Sequence, residues 1–246
     1  VKSYFPSYNA LQVGEKLRVT ADYIYGFGGN GSYLATHALG TGRINLYRAL
    51  TQSNPAVRMN PINVTDNNDN IYVIGDTLRI SGDFTNYLDP TTNLTATISV
   101  ASVPSTYVTI LDNNTTLGAI GTMATVNNNA DPFTVLINPS APTSAPITFK
   151  IVLQDGAYTD YVMFDVIVNV DYINITTNEV YTTNTSKGRI CYNANLATTE
   201  GLGFTLNPHQ SFTYETSCML GNGGNVSDEV RDVATADEDF AAVINI

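Results

Sequence analysis

Between residues 77 and 168 apolar side chains recur at every second position, and this alternation restricts the chain more than any other feature it carries. Leu78, Ile80 and Phe84 alternate with Thr77, Arg79, Ser81 and Asp83, with Gly82 interrupting the apolar row. Leu94, Ala96, Ile98 and Val100 alternate with Thr95, Thr97 and Ser99. Val108 and Ile110 follow, then Phe133, Val135 and Ile137, then Ile147, Phe149, Ile151 and Leu153, then Val162, Phe164, Val166 and Val168. A period of two sends successive side chains to opposite faces of a strand, so each run reads as a strand with one face on a core. Asp-Pro, Asn-Pro, Asp-Gly and Asn-rich breaks separate the runs, as turns require. About seven such strands predict an antiparallel sandwich of immunoglobulin-like type. Its expected span is residues 55–170. Phe164 is expected to point into the core, and Thr97 out to solvent.

The residues before the alternation follow a helical period. Pro6 sets a turn, and Asn9 with Gln12 three positions later has the spacing of a capping box. Ala10, Val13, Leu17 and Ala21 then line one side of a helix of about three turns. Glu15, Lys16 and Arg18 fall on the other side. Further on, Gly40 and Gly42 free the backbone for a close approach, because glycine has no Cβ and tolerates positive φ. A short helix after them places Ile44, Tyr47 and Leu50 on one face. Two small helices cannot make a core alone. Residues 1–54 are therefore read as a separate helical piece, with residues 1–51 expected to be held less firmly than the sandwich.

A second β-unit, residues 171–246, begins after the sandwich. Its strand candidates are residues 173–181, 189–192, 203–206 and 211–215. An acidic stretch occupies residues 228–240, and residues 241–246 read as a strand just starting. A strand without a partner leaves a row of backbone groups unpaired. The expectation is that the unit is truncated at Ile246, as Val1 is expected to be a cut end. The fold class expected overall is mainly β: an N-terminal helical remnant, a sandwich and a second, incomplete β-domain.

Charge narrows the function classes. The chain has 246 residues with a formal net charge of -11 and only 13% charged residues, and its pI is about 4.3. A polyanion of this kind is repelled by nucleic acid and by anionic membranes, so neither is expected as a partner. No apolar run reaches the length needed to span a bilayer. The abundance of Asn and Thr, the scarcity of Lys and Arg, and 15 Tyr against 9 Phe suit an extracellular bacterial β-protein.

Candidate sites are few. Cys191 and Cys218 are the only cysteines, too few for a disulfide scaffold and without a CxxC metal spacing. They fit two buried thiols or one disulfide, and the sequence leaves both open. Asp66 and Asp69, within Asp66-Asn67-Asn68-Asp69-Asn70, offer hard oxygens for a structural calcium. The run lacks the Gly and terminal Glu of an EF-hand loop, and a solvated turn accounts for it. Asp228, Glu229, Asp237, Glu238 and Asp239 raise a carboxylate-pair glycosidase reading, but a run of acids is ordinarily a solvated face. No catalytic, cofactor-binding or metal residue is assigned.

Two motifs at the N-terminus resemble the end of a subtilisin-like serine peptidase domain. Residues 1–21 contain Phe5-Pro6, a capped helix and the closing Leu17-Arg18-Val19-Thr20-Ala21, which match the family's Leu-x-x-Thr-Ala. Residues 40–50, Gly-Thr-Gly-Arg-Ile-Asn-Leu-Tyr-Arg-Ala-Leu, are similar to the family's closing Gly-x-Gly-x-hydrophobic-Asn/Asp-x-x-x-Ala-Leu helix. The resemblance implies that the Asp, His and Ser triad lies upstream, so this chain carries none of it. His37, in Ala35-Thr36-His37-Ala38, faintly resembles the family's Gly-Thr-His motif but stands in the wrong order along the chain, and reads as a loop histidine.

The downstream residues resemble β-domains appended to large secreted subtilases of Gram-negative bacteria. The similar stretches are residues 75–80, Gly-Asp-Thr-Leu-Arg-Ile; 86–91, Asn-Tyr-Leu-Asp-Pro-Thr; 132–135, Pro-Phe-Thr-Val; 188–190; 201–204; and 226–231. Those enzymes carry a sorting domain for type IX secretion, so the resemblance implies a secreted or cell-surface bacterial protein.

Two functions follow. The first is a non-catalytic C-terminal portion of a secreted subtilisin-like serine endopeptidase. Its accessory β-domains would support or position the protease. Its partners would be the upstream catalytic domain of the same polypeptide and, for the parent enzyme, protein or peptide substrates. The second is a stand-alone surface adhesion or glycan-binding β-sandwich protein. The absence of Trp, the strongest cation–π platform, weakens a sugar-binding face, although Tyr could substitute. Residues 1–50 discriminate the two, because an adhesin has no use for helices ahead of its sandwich.

Overall fold

A computed structural model gives the structure. It describes residues 1–33, 39–66, 68–102, 104–185, 188–191, 193–195, 198–206, 210–213, 215–217 and 220–227. His37, Cys218, the acidic stretch from Asp228 and the expected strand at 241–246 lie outside the described residues. The fold is mainly β. It divides into two compact units, Val1–Val168 and Asn169–Ile246.

In the first unit, helix α1 (Ala10–Val19) and helix α2 (Leu46–Thr51) precede nine strands. The strands are β1 (Val57–Thr65), β2 (Thr77–Asn86), β3 (Leu94–Val100), β4 (Val108–Asp112), β5 (Asn114–Gly118), β6 (Ala124–Asn127), β7 (Phe133–Ile137), β8 (Ala145–Asp155) and β9 (Tyr158–Val168). One antiparallel sheet runs β1-β2-β7-β4, with β6 also paired to β2. The other runs β5-β3-β8-β9. The chain crosses between sheets after β2, β3, β4, β5 and β7, so neither sheet forms without the other.

The alternation read from the sequence becomes the core. Leu78, Ile80, Phe84, Phe133, Val135 and Ile137 from one sheet meet Leu94, Ala96, Ile98, Ile147, Phe149, Ile151 and Leu153 from the other in a single buried cluster. Thr97 is exposed, as expected. Phe164 is on the inward row and stacks on Phe149 at 5.6 Å between ring centroids. It is only half-buried, because β9 is the edge strand of its sheet and, among the described residues, no further strand pairs with it.

Two features of the sandwich were not legible beforehand. Strand β1 carries Pro61, which ordinarily argues against a strand. Its register also shifts between Met59 and Ile62, so the apolar alternation changes phase in mid-strand. Gly82 answers that irregularity from β2: a Cβ there would lie 2.4 Å from the Pro61 carbonyl and 2.8 Å from Met59 Cε. Buried Asn86 holds the corner that follows β2. Its Oδ1 accepts from Ala56 N at 3.0 Å, and its Nδ2 donates to Asp89 O at 2.7 Å and Ile120 O at 3.0 Å. The residues 86–91 singled out in the sequence are therefore a hydrogen-bonded corner.

The second unit contains β10 (Tyr172–Ile175), β11 (Val180–Thr185), β12 (Arg189–Cys191), β13 (Asn193–Asn195), β14 (Thr198–Glu200), β15 (Phe204–Leu206), β16 (Glu215–Ser217), β17 (Leu220–Asn222) and β18 (Asn225–Ser227). One sheet runs β10-β11-β12-β16, with β15 also paired to β11. The stretch 173–181, expected as one strand, is two antiparallel strands with a turn between them. Thr176, Thr177 and Asn178 interrupt the apolar pattern there and favour the turn. Gly201 has φ +86, and a Cβ on it would meet Thr183 Oγ1 at 2.4 Å, so that position tolerates only glycine without a shift.

Candidate functional site

The most organised polar constellation lies where α1 meets the edge of the sandwich. The capping box forms as read: Asn9 Oδ1 accepts from Gln12 N at 2.9 Å and Gln12 Oε1 accepts from Asn9 N at 3.0 Å. The face that docks is not the apolar one. The buried residues of α1 are Gln12, Glu15 and Lys16, followed by Thr20 at its C-cap. Successive helical residues are about 100° apart, so these residues oppose Ala10, Val13, Leu17 and Ala21. Ala10 is exposed and Val13, Leu17 and Ala21 are only half-buried, while neighbouring Leu11 is 61% exposed.

The polar groups on the docked face are engaged, Arg18 Nη2 by an ionic contact alone. Gln12 Nε2 donates to Tyr87 O at 3.0 Å. Glu15 accepts from Arg58 Nε of β1 at 2.5 Å and from Arg18 Nε at 2.6 Å. Arg18 reaches Asp160 of β9 through both terminal nitrogens, at 2.8 Å and 2.6 Å. Tyr158 donates its hydroxyl proton to Asp160 at 3.1 Å and accepts from Val57 N at 2.9 Å. Burial, and then the charge of Asp160, push the Tyr158 phenol well above its ordinary pKa. Lys16, 2% exposed, donates to Gln52 O and lies over the Phe5 ring at 5.4 Å; burial lowers its pKa, and the charge of Asp89 opposes that shift. Residues 1–54 are thus not a separate unit in this structure. They are joined to the sandwich by polar contacts to both sheets.

The α2 region is held by the expected glycine approach. Gly42 has φ +121, and a Cβ on it would lie 2.0 Å from the Asp22 carbonyl. Asp22 and Arg43 exchange backbone hydrogen bonds at 2.8 and 3.0 Å. The Asp22 carboxylate accepts from Asn45 Nδ2, Arg43 and Arg48, and these, Asn45 first, hold its pKa below the usual carboxylate value. Asn45 caps α2 by accepting from Arg48 N at 3.0 Å. Ala49 is the buried residue of α2, whereas Ile44, Leu46 and Tyr47 are 62%, 60% and 76% exposed. The face predicted from Ile44, Tyr47 and Leu50 therefore points away from the rest of the unit, with only Leu50 half-buried.

Beside the polar junction a cleft of ≈ 790 Å³ opens along β9, lined by Arg58, Thr41, Tyr161, Met163, Phe164 and Asp165 among others. Its charged groups are already engaged: Arg58 with Glu15, and Asp165 with Thr148 Oγ1 at 2.7 Å. A second hollow of ≈ 660 Å³ is lined by Asp22, Tyr23, Phe27, Asn30, Arg43 and Arg48.

Asp66 Oδ1 accepts from Asn68 N and Asn70 N, at 2.8 and 3.1 Å, and Asp69 Oδ1 accepts from Ile71 N at 2.9 Å. Both carboxylates thus cap turns, and among the described residues no three His, Cys, Asp or Glu side chains converge on a metal position. Cys191 is a buried thiol against Thr213 Oγ1, while Cys218 lies outside the described residues. Both histidines, His37 and His209, also lie outside them, so no serine–histidine–carboxylate geometry is described. No described helix is long and apolar enough to cross a membrane. Sequence reading missed Asp160 and Tyr158, because each sits at an inward position of a strand whose other inward residues are apolar.

No protein-family model and no curated protein matches this sequence. Among solved structures, a FixG-related protein from Vibrio parahaemolyticus is similar over 47% of this chain and 95% of its own, at 13% identity and a TM-score of 0.29. A likeness of that size carries no argument about this chain.

Proposed function

We propose that this chain is a non-catalytic C-terminal portion of a secreted bacterial subtilisin-like serine endopeptidase. Residues 1–54 are the closing helices of its catalytic domain, and the two β-units are accessory. The observation that supports this reading is the inverted docking of the helices. An amphipathic helix on a globular surface ordinarily buries its apolar side. Here α1 buries its polar side on the sandwich, and α1 and α2 together leave Leu11, Ile44, Leu46 and Tyr47 exposed. Helices that close another domain would carry such a surface, and the motifs in residues 1–21 and 40–50 resemble the two that end a subtilase domain. The upstream domain would supply the Asp, His and Ser groups for acyl transfer, and the β-units would hold its last helices in place.

The hollow at Asp22 favours the alternative of a glycan-binding surface protein, because it sets the exposed rings of Tyr23 and Phe27 beside Asn30 and Arg43. The experiment that separates the two uses a fluorophosphonate probe. The chain alone should not label. The polypeptide extended by the coding sequence upstream of Val1 should label at one serine ahead of Val1 and cleave casein. Fold-dependent labelling within these 246 residues, or an extended polypeptide that neither labels nor cleaves, would overturn the peptidase reading.

A further inference from the structure

The junction between α1 and the sandwich is built unlike a packed interface. Its three anchors come from three places: Arg58 on β1, the Tyr87 carbonyl after β2, and Asp160 on β9. Strands β1 and β9 are the edge strands of different sheets, and among the described residues no further strand pairs with β9 or with the outer side of β1. Helix α1 therefore spans the two sheets, and it does so with Glu15 and Arg18 rather than with its apolar stripe. An ion network of this kind, buried at Glu15, Arg18 and Asp160 and open at Arg58, returns little net stability, because desolvation offsets the attraction, but its directional contacts form in one geometry only. Apolar contact, by contrast, is non-directional.

We propose that Glu15, Arg18, Arg58, Asp160 and Tyr158 form a directional latch. It fixes how α1 sits across the sandwich edge, and so the direction in which the half-buried Val13 and Leu17 face. The latch is a property of this chain and stands whether or not a peptidase domain covers the stripe. Asp160 is met by Arg18 from α1, by the Tyr158 hydroxyl and the Tyr161 N–H from its own strand, and by Glu15 one bond further through Arg18. The arrangement also explains why Asp160 occupies an inward strand position. Its Oδ1 accepts from Arg18 Nη1, and its Oδ2 meets both Arg18 Nη2 and the Tyr158 hydroxyl, which no apolar residue could do.

Hydrogen exchange on the full chain tests this, read at the amides of residues 10–19 and of β8. In D160N and in E15Q, α1 exchange should rise about tenfold or more while β8 exchange stays unchanged, since each variant leaves a buried partner unmatched. The decisive variant is R18M/D160L, which removes both charges and leaves apolar groups in their place. Its denaturant midpoint should lie above that of D160N, yet it should fail to restore α1 protection. Were R18M/D160L to protect α1 fully, apolar packing would suffice and the latch would be refuted. Unchanged α1 exchange in D160N and E15Q would refute it equally. Should D160N not fold, E15Q decides alone, because Glu15 lies on the helix and outside the sandwich core.

Discussion

Tyr158 shows how much one side chain does at the sandwich edge. Its ring belongs to the core cluster, and its hydroxyl ties Val57 N to Asp160. Tyr158→Phe keeps the ring and removes both hydrogen bonds. It should cost about 1–3 kcal/mol, measured as a lower denaturant midpoint at unchanged slope. The same residue gives the chain an alkaline limit. The folded state holds the phenolic proton more tightly than the unfolded state does. Its stabilising contribution is therefore complete below the unfolded pKa of about 10 and is lost as pH rises above it. Unfolding followed from pH 8 upward should show stability falling beyond about pH 10, with a shallower fall in Tyr158→Phe. Equal slopes in the two proteins would mean that Tyr158 does not titrate with the fold.

At the level of elements, β8 and β9 differ although their sequences alternate equally well. Strand β8 is central in its sheet and carries Phe149 at 0% exposure, whereas β9 is an edge and leaves Phe164 half-covered. Phe149→Ala should therefore cost about 3–5 kcal/mol, the range for a fully buried ring with a cavity left behind. Phe164→Ala should cost distinctly less, because part of that ring already faces the cleft. Thr97→Ala, on the outward face of β3, should stay within about 0.5 kcal/mol. Urea midpoints rank the three. A Phe164→Ala cost equal to that of Phe149→Ala would mean that β9 is buried as deeply as β8.

For the whole molecule, the division at Val168 makes a claim about folding. The first unit holds its complete core cluster within its own residues, from Val57 to Val168. Residues 1–168 alone should thus unfold in one cooperative transition with β8 protected as in the full chain. Deleting residues 1–51 should lower that midpoint by about 1–3 kcal/mol, since Asp160 loses Arg18 while remaining inside the sandwich edge. If the deletion leaves the midpoint unchanged, the helices rest on the sandwich without contributing to it.

What the sequence determined by itself is what short-range chemistry controls. Alternation of Ile147, Phe149, Ile151 and Leu153 dictates a strand and its buried face, because side chains two apart share a face in any extended backbone. The Asn9–Gln12 capping box and the close approach at Gly42 are equally local, and each formed as read. Tertiary structure alone decided the rest. Pro61 and a register shift hid β1, whose strand state depends on its pairing with β2. The face of α1 that docks was decided by Asp160, which lies 142 positions from Arg18 in the chain. An amphipathic pattern says that two faces differ, but which of them meets the sandwich depends on what that surface offers. This edge offers a carboxylate, a guanidinium and a carbonyl, so the polar face docked and the apolar one was left outward.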